Sequence, residues 1–328
     1  MAVTMREVAR QAGVSVATVS RVFNASGPVG ERTRSRVLQT AGRLRYVPNG
    51  TARSLTTSTT ETVGVLLPNL YGDFYSELIR GAESAARAAG YHTLLASVHD
   101  GPDELVAVLR TLAGRVDGLA VMSPDIDPDV LRANLPAGLP VVVLGGAADG
   151  HASVEIDNAA GAAAMTRHLV GLGHRRIAHV AGPAGNADAD ARRAGYRQAL
   201  AEAGLERDPL LVLAGAFTEA SGYDAAGAFL ELADRPTALF AANDAMAIGA
   251  LRAFREAGLD VPGDVALVGF DDVPVARYVT PALTSVHVPI DEMGARAVGA
   301  VLAAVRQPDG RATVTLPTRL VVRESCGG

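Results

Sequence analysis

The side chains in this sequence that can do chemistry are of types that recognise a partner, and none has the spacing of a catalyst. Arg21 can offer paired donors to O6 and N7 of a guanine. Val16 and Ala17 are small and apolar. They can touch thymine methyls or act as spacers, but their side chains offer a base edge no hydrogen bond. Thr4, Ser15, Thr18, Ser20 and Asn24 are candidate phosphate donors, which fix position without specifying sequence. A second group is spread along the chain: Asp73-Phe74-Tyr75, Asp188, Arg192, Phe217, Asn243 and Asp271. Most of these follow apolar runs that read as strands, and open α/β sheets bind ligands outside the carboxyl ends of their strands. Carboxylate, amide and guanidinium groups together match the vicinal hydroxyls of a sugar, with Phe74 or Phe217 able to stack on its apolar face.

Catalysis finds little support. The chain has no H-E-x-x-H, G-x-S-x-G, C-x-x-C or G-x-G-x-x-G. Its seven histidines are scattered, and the adjacent Asp271 and Asp272 should point apart at a strand end. There is no lysine; all thirty basic residues are Arg, which excludes a P-loop lysine and a pyridoxal phosphate Schiff base. No enzyme activity, cofactor or metal is expected. The single Cys326, expected in a frayed terminus, excludes an intrachain disulfide and suits a reducing cytosol. No apolar run reaches membrane-spanning length and no leader is evident, so a cytoplasmic location is expected, away from membranes. An exported solute-binding protein is the alternative that this reading disfavours.

These residues need elements to hold them. Thr4-Met5-Arg6-Glu7 has the pattern of a capping box, and Val8, Ala9 and Ala12 supply the buried side of a first helix. Gly13 permits a turn, Ser15 is a good N-cap, and a second helix follows from Val16 to Phe23 with Val19 and Val22 inward. That leaves Val16, Ala17, Ser20 and Arg21 outward, as on the recognition helix of a helix-turn-helix. A third helix is expected over residues 31–44. Residues 1–60 hold nine Arg against Glu7 and Glu31, a net charge of +7, so the remaining 268 residues carry −12. A basic head on an acidic body suits a phosphate-binding module whose larger companion stays off nucleic acid. Residues 49–60 are small and polar, as in a linker. Beyond them, apolar strands (62–67, 92–97, 117–122, 140–144, 153–156, 176–180, 210–214, 237–241, 264–268) alternate with helices (74–89, 103–113, 159–171, 188–203, 219–232, 244–257, 290–305). Continuous Val/Leu/Ala strands between helices imply buried parallel sheets, in two lobes. Asp157-Asn158 reads as a strand-to-helix cap and His174-Arg175-Arg176 as a structural or surface run.

The motifs, in their order, resemble those of the LacI/GalR family of transcriptional regulators. Val3-Thr4, Glu7-Val8-Ala9, Ala12-Gly13-Val14-Ser15, Ala17-Thr18-Val19-Ser20-Arg21-Val22 and Asn24 carry the likeness in the head, continued by Tyr46-Val47-Pro48-Asn49 and Ala52-Arg53-Ser54-Leu55. Gly173-His174-Arg175-Arg176-Ile177, Asn243-Asp244, Gly269-Phe270-Asp271-Asp272 and Leu320-Val321-Val322-Arg323 extend it through the body. The resemblance implies an all-α helix-turn-helix head (1–48), a hinge helix (49–60) and an α/β body (61–328). The body would be periplasmic-binding-protein-like, a pair of doubly wound parallel-sheet subdomains. One would hold about 61–157 and 287–316, the other about 158–286 and 317–328. It implies base reading by Val16, Ala17 and Arg21, and a hinge that enters the minor groove through Ala52, Arg53 and Leu55, with Leu55 as a wedge. It also implies a cytosolic homodimeric repressor on a pseudo-palindromic operator, with an effector, a sugar, held by Asp73, Phe74, Tyr75, Asp188, Arg192, Phe217, Asn243 and Asp271. A purine, another metabolite or a protein corepressor is the alternative. Two departures stand out. Gly50 should loosen a hinge helix, and Leu144-Gly145-Gly146 replaces the usual polar or charged residues at that strand end, a departure from a standard hexose mode. No heptad tail follows Arg323, which argues against a coiled-coil tetramer.

Overall fold

The computed structural model describes residues 3–24, 27–46, 59–99, 101–122, 128–136, 138–145, 150–206, 208–307 and 312–327. The chain separates into two compact units, Met1–Glu61 and Thr62–Gly328. The hinge residues Gly50, Ala52, Arg53 and Leu55 lie outside the described residues, as does Gly146.

Among its described residues the first unit holds three helices: α1 (Met5–Ala12), α2 (Val16–Asn24) and α3 (Glu31–Arg43). Val8, Ala9, Ala12, Val19, Val22, Val37 and Ala41 form its buried centre. Gly13 takes the left-handed conformation (φ 62°) and closes α1 through its N–H, a geometry that a side chain would strain. The expected capping box is half made. Thr4 Oγ1 accepts from the Glu7 N–H at 3.4 Å, but the Glu7 carboxylate turns away to Arg10 and to Gln11 Nε2 (3.0 Å). A bidentate guanidinium is a stronger partner for that carboxylate than a backbone amide. At the next helix, Ser15 Oγ accepts from the Thr18 N–H at 3.1 Å, the N-cap its sequence position predicts.

In the second unit, strands and helices alternate: β1 (Thr62–Leu67), α4 (Asp73–Ala88), β2 (His92–Ser97), α5 (Pro102–Leu112), β3 (Gly118–Val121), α6 (Pro128–Asn134), β4 (Val141–Leu144) and β5 (Ala152–Ile156). There follow α7 (Asn158–Gly171), β6 (Ile177–Val180), α8 (Ala187–Glu202), β7 (Val212–Leu213), α9 (Glu219–Leu230), β8 (Ala238–Ala241), α10 (Asp244–Glu256) and β9 (Ala266–Val268). The chain closes with β10 (Ser285–His287), α11 (Ile290–Arg306), β11 (Thr313–Leu316) and β12 (Arg319–Val321). Two parallel sheets result, ordered β11-β5-β4-β3-β1-β2 and β7-β6-β8-β9. β10 and β12 pair antiparallel as a small third sheet. The return of α11 and β11 to the first sheet means that the chain crosses between lobes more than once. Gly81 of α4 and Gly294 of α11 let these helices meet backbone to backbone, since a Cβ at either would fall about 2 Å from a carbonyl oxygen of the other (1.8 and 2.1 Å).

Several sequence expectations need correction. α6 and strands β10, β11 and β12 were not anticipated, being too short to show a period. The strand expected over 210–214 shrinks to two residues, because Asp208 caps a 3-10 turn at Pro209–Leu211. Cys326 is buried, 3.2 Å from Thr284 Oγ1, instead of lying in a frayed end.

Candidate functional site

On α2 the exposed surface carries Ser15, Val16, Ala17 and Arg21, while Thr18, Ser20 and Asn24 are half-buried. Val16 is 42% exposed, which is unusual for a β-branched apolar side chain that could have joined the centre of so small a unit. Thr4 and Ser15 accept their capping bonds through oxygen, so each O–H remains a donor. Ser15 and Thr18 also share a contact of 2.9 Å, and Asn24 Nδ2 donates to Ser20 Oγ at 3.2 Å. The structure therefore groups all three expected base readers with their expected phosphate donors on and beside one helix.

Within the body, parallel strands bring their carboxyl ends to one edge of each sheet. From the second lobe, α8 sends Asp188 and Arg192 toward this region. Arg192, 4% exposed, donates through Nε to Asn158 Oδ1 (2.8 Å) and through Nη1 to the Ala242 carbonyl (2.6 Å). The same Nη1 lies 3.1 Å from Asp271 Oδ1, a charge contact not aligned as a hydrogen bond, so that oxygen is buried without a donor. The guanidinium stacks on Phe270 (3.9 Å to the ring centre) and lies 5.7 Å from the Phe217 ring centre. Asn158 in turn donates through Nδ2 to Asp188 Oδ1 at 2.8 Å. Across from it, a Cβ on Gly145, at the end of β4, would fall 3.0 Å from Asp188 Oδ2. One chain of polar contacts thus runs from Asp271 through Arg192 and Asn158 to Asp188 and reaches the first lobe's strand end.

Burial pushes the Asp271 carboxyl up to about 6; Arg192 opposes this and Asp188 adds to it. Asp271 also sits at φ 101°, a strained conformation held by its backbone bonds to Val286 and Val288. Asp272 points elsewhere, as expected, to Arg323 Nη2 (2.5 Å) and His287 Nδ1 (3.1 Å). Behind them Asp244 is fully buried, and burial drives its carboxyl well above the usual range.

The other expected ligand contacts divide. Asn243 has both ends of its amide engaged: Oδ1 caps Met246 N–H (3.0 Å) and Nδ2 holds the Phe217 carbonyl (3.1 Å). It therefore positions Phe217, which stands at φ 60°. Asp73, Phe74 and Tyr75 open α4 at the first lobe's strand ends, with the two rings 5.5 Å apart edge to face, and form a group of their own. Asn158 was missed by sequence reading. The Asp157-Asn158 pair does cap α7, through Asp157 Oδ1 to Ala160 N–H (3.1 Å), but the cap leaves Asn158 to turn inward. His174-Arg175-Arg176 is a structural run, with Arg176 bonded to the Asp234 carbonyl (2.9 Å). No group of three or more His, Cys, Asp or Glu among the described residues could hold a metal ion.

Residues 4–49 match the family model for bacterial regulatory proteins of the lacI family, and residues 166–326 match that for a periplasmic binding protein-like domain. The chain is 35% identical over 327 residues to the HTH-type transcriptional repressor PurR of Photobacterium profundum, covering 98% of each protein. It belongs to the LacI family. This LacI-family chain is also 37% identical over 309 residues to the ribose operon repressor of Escherichia coli (strain K12), covering 93% of this chain and 94% of that one. Its fold matches the lac repressor dimer bound to operator and the anti-inducer ONPF with a TM-score of 0.88, at 30% identity, over 99% of both chains. The LacI-family member described here is accordingly a transcriptional regulator with a DNA-binding head and an effector-binding body. No helix among its described residues is long and apolar enough to cross a membrane.

Proposed function

We propose that this protein is a cytoplasmic homodimeric repressor without enzymatic activity, whose operator affinity is set by a sugar bound between the lobes of its body. The observation that carries this reading is the polar chain Asp271–Arg192–Asn158–Asp188, buried except at Asp188, which reaches from one lobe to a strand end of the other. A ligand that inserts hydroxyls into it changes contacts on both lobes at once, and only such differential contact shifts a two-state equilibrium. The head is residues 1–48, the hinge 49–60 and the body 61–328, its subdomains dividing near 157/158, 286/287 and 316/317. Val16, Ala17 and Arg21 read bases; Thr4, Ser15, Thr18, Ser20 and Asn24 hold the phosphates; Ala52, Arg53 and Leu55 enter the minor groove. Asp188, Arg192 and Asp271 contact the effector directly, Asp73, Phe74 and Tyr75 from the first lobe, and Asn243 by holding Phe217. The dimer and its operator are carried over from the lac repressor complex, and a sugar from the LacI family transcriptional regulator of Enterococcus faecium with bound ribose.

A second reading, a purine effector, is favoured by the likeness to PurR and by the aromatic rings of Phe74 and Phe217. Thermal shift with pentoses, hexoses, disaccharides, nucleosides and purine bases separates the two. A ligand at about a hundred times its dissociation constant adds about 2.7 kcal/mol, or several degrees. A sugar that stabilises wild type but not Asp271→Ala supports the sugar reading. A purine that does so replaces it.

A further inference from the structure

We infer that this cleft excludes anions: its ligand is an uncharged polyhydroxylated molecule, and phosphorylated or carboxylated counterparts are rejected. The inference rests on the effector reading above and narrows the chemical class that the same site accepts.

The cleft's charges do not balance in favour of an anion. Its connected polar chain holds two carboxylates, Asp188 and Asp271, and one guanidinium, Arg192. That guanidinium is already committed through Nε and Nη1 and faces Asp271 at 3.1 Å. The described segments that follow the strands of the two parallel sheets (68–76, 98–99, 122, 145, 157–158, 181–188, 214–218, 242–244, 269–273 and 317–318) contain six Asp and no Arg, in a chain without lysine.

Helix N-termini are the other place where a protein binds phosphate, through free N–H groups and the positive end of the helix dipole. Here each such terminus after a strand carries its own acid. Asp73 opens α4, Asp157 caps α7, Asp188 and Asp190 lie in the first turn of α8, Glu219 in that of α9 and Asp244 in that of α10. The cap side chains of Asn186, Thr218 and Asn243 take up further N–H donors. Asp188 fills the positive end of α8 at the point nearest Gly145. An incoming phosphate would meet that carboxylate, while the guanidinium of the same polar chain, Arg192, is already bonded to Asn158 and the Ala242 carbonyl and faces Asp271. A hydroxyl meets an acceptor: Asp271 Oδ1 is buried and lacks a donor, in a residue only 4% exposed. Glycine at 145 lets the first lobe's strand end approach Asp188 closely, since a Cβ there would fall 3.0 Å from Asp188 Oδ2.

The test uses the full-length protein and matched probes: ribose and ribose 5-phosphate, glucose with glucose 6-phosphate and gluconate, and cellobiose. Thermal shift finds binders and calorimetry gives their dissociation constants. The expected result is that every binder is uncharged and that its anionic counterpart binds at least tenfold more weakly. In Asp188→Asn, an isosteric change at a half-buried position, that ratio narrows by threefold or more. An anionic probe that binds as tightly as its neutral partner overturns the inference and leaves the effector reading standing. Discrimination unchanged in Asp188→Asn also overturns it, by removing the residue to which it is assigned. Silence from every probe overturns both the inference and the sugar reading.

Discussion

Asp271 is the residue on which the ligand site turns. Its carboxyl is raised to about 6 chiefly by burial, above the ordinary Asp value near 3.9. The folded protein therefore holds this proton more tightly than the unfolded chain. The contribution to stability is greatest below about pH 4 and is lost as pH rises through about 6. Ligand binding has the opposite sign, because a hydroxyl donor needs the carboxylate as acceptor. Affinity for a neutral sugar should rise as pH rises through about 6, by up to ~10-fold per pH unit on the acid side. Calorimetry from pH 5 to 8 measures this, and Asp271→Asn should flatten the profile. A wild-type affinity independent of pH over that range would show that this carboxylate accepts nothing from the ligand.

At the scale of elements, the sequence was most legible where periods are long. The nine strands and seven helices expected in the body all exist, most within two residues of their predicted limits. The missed strands have three or four residues and are formed by pairing with distant partners, β11 with β5 and β10 with β12, which local pattern cannot show. Asn158 was illegible for a related reason. The capping signal of Asp157-Asn158 is local and correct, whereas the partners of Asn158 lie 30 and 34 residues away. Asp188 and Arg192 were legible because they follow a strand in an α/β alternation, but their common tie through Asn158 was not.

The caps of the head allow a direct check. Ser15→Ala removes the acceptor for the Thr18 N–H and should cost about 1 kcal/mol. Urea denaturation followed by helical circular dichroism measures this; an unchanged head transition would mean that the cap is replaced by solvent. In the hinge, Leu55→Ala should weaken operator binding about 10-fold or more by removing an apolar wedge, with sugar affinity in the cleft unchanged. Equal operator affinity in the mutant would exclude the wedge.

For the molecule as a whole, charge divides the labour. Residues 1–60 carry a net +7, which attracts phosphate, and the remaining 268 residues a net −12, which phosphate repels, so DNA contact is expected from the N-terminal segment alone. The body's acids have a second consequence within the cleft, where they set which ligands can enter. Coupling between the two sites obeys reciprocity: a sugar that weakens operator binding must itself bind more weakly, by the same factor, when operator is present.

Control by a ligand in the body requires that α2 read a two-fold DNA site. Selection of duplexes from a randomised pool, by full-length wild type and by Arg21→Ala in parallel, tests it most directly. Wild type should enrich an inverted repeat with a guanine at one position of each half-site. In Arg21→Ala that position alone should lose its preference, at about 1–3 kcal/mol of affinity. Enrichment of no motif, of an unrepeated motif, or of the same guanine by both proteins would contradict the account.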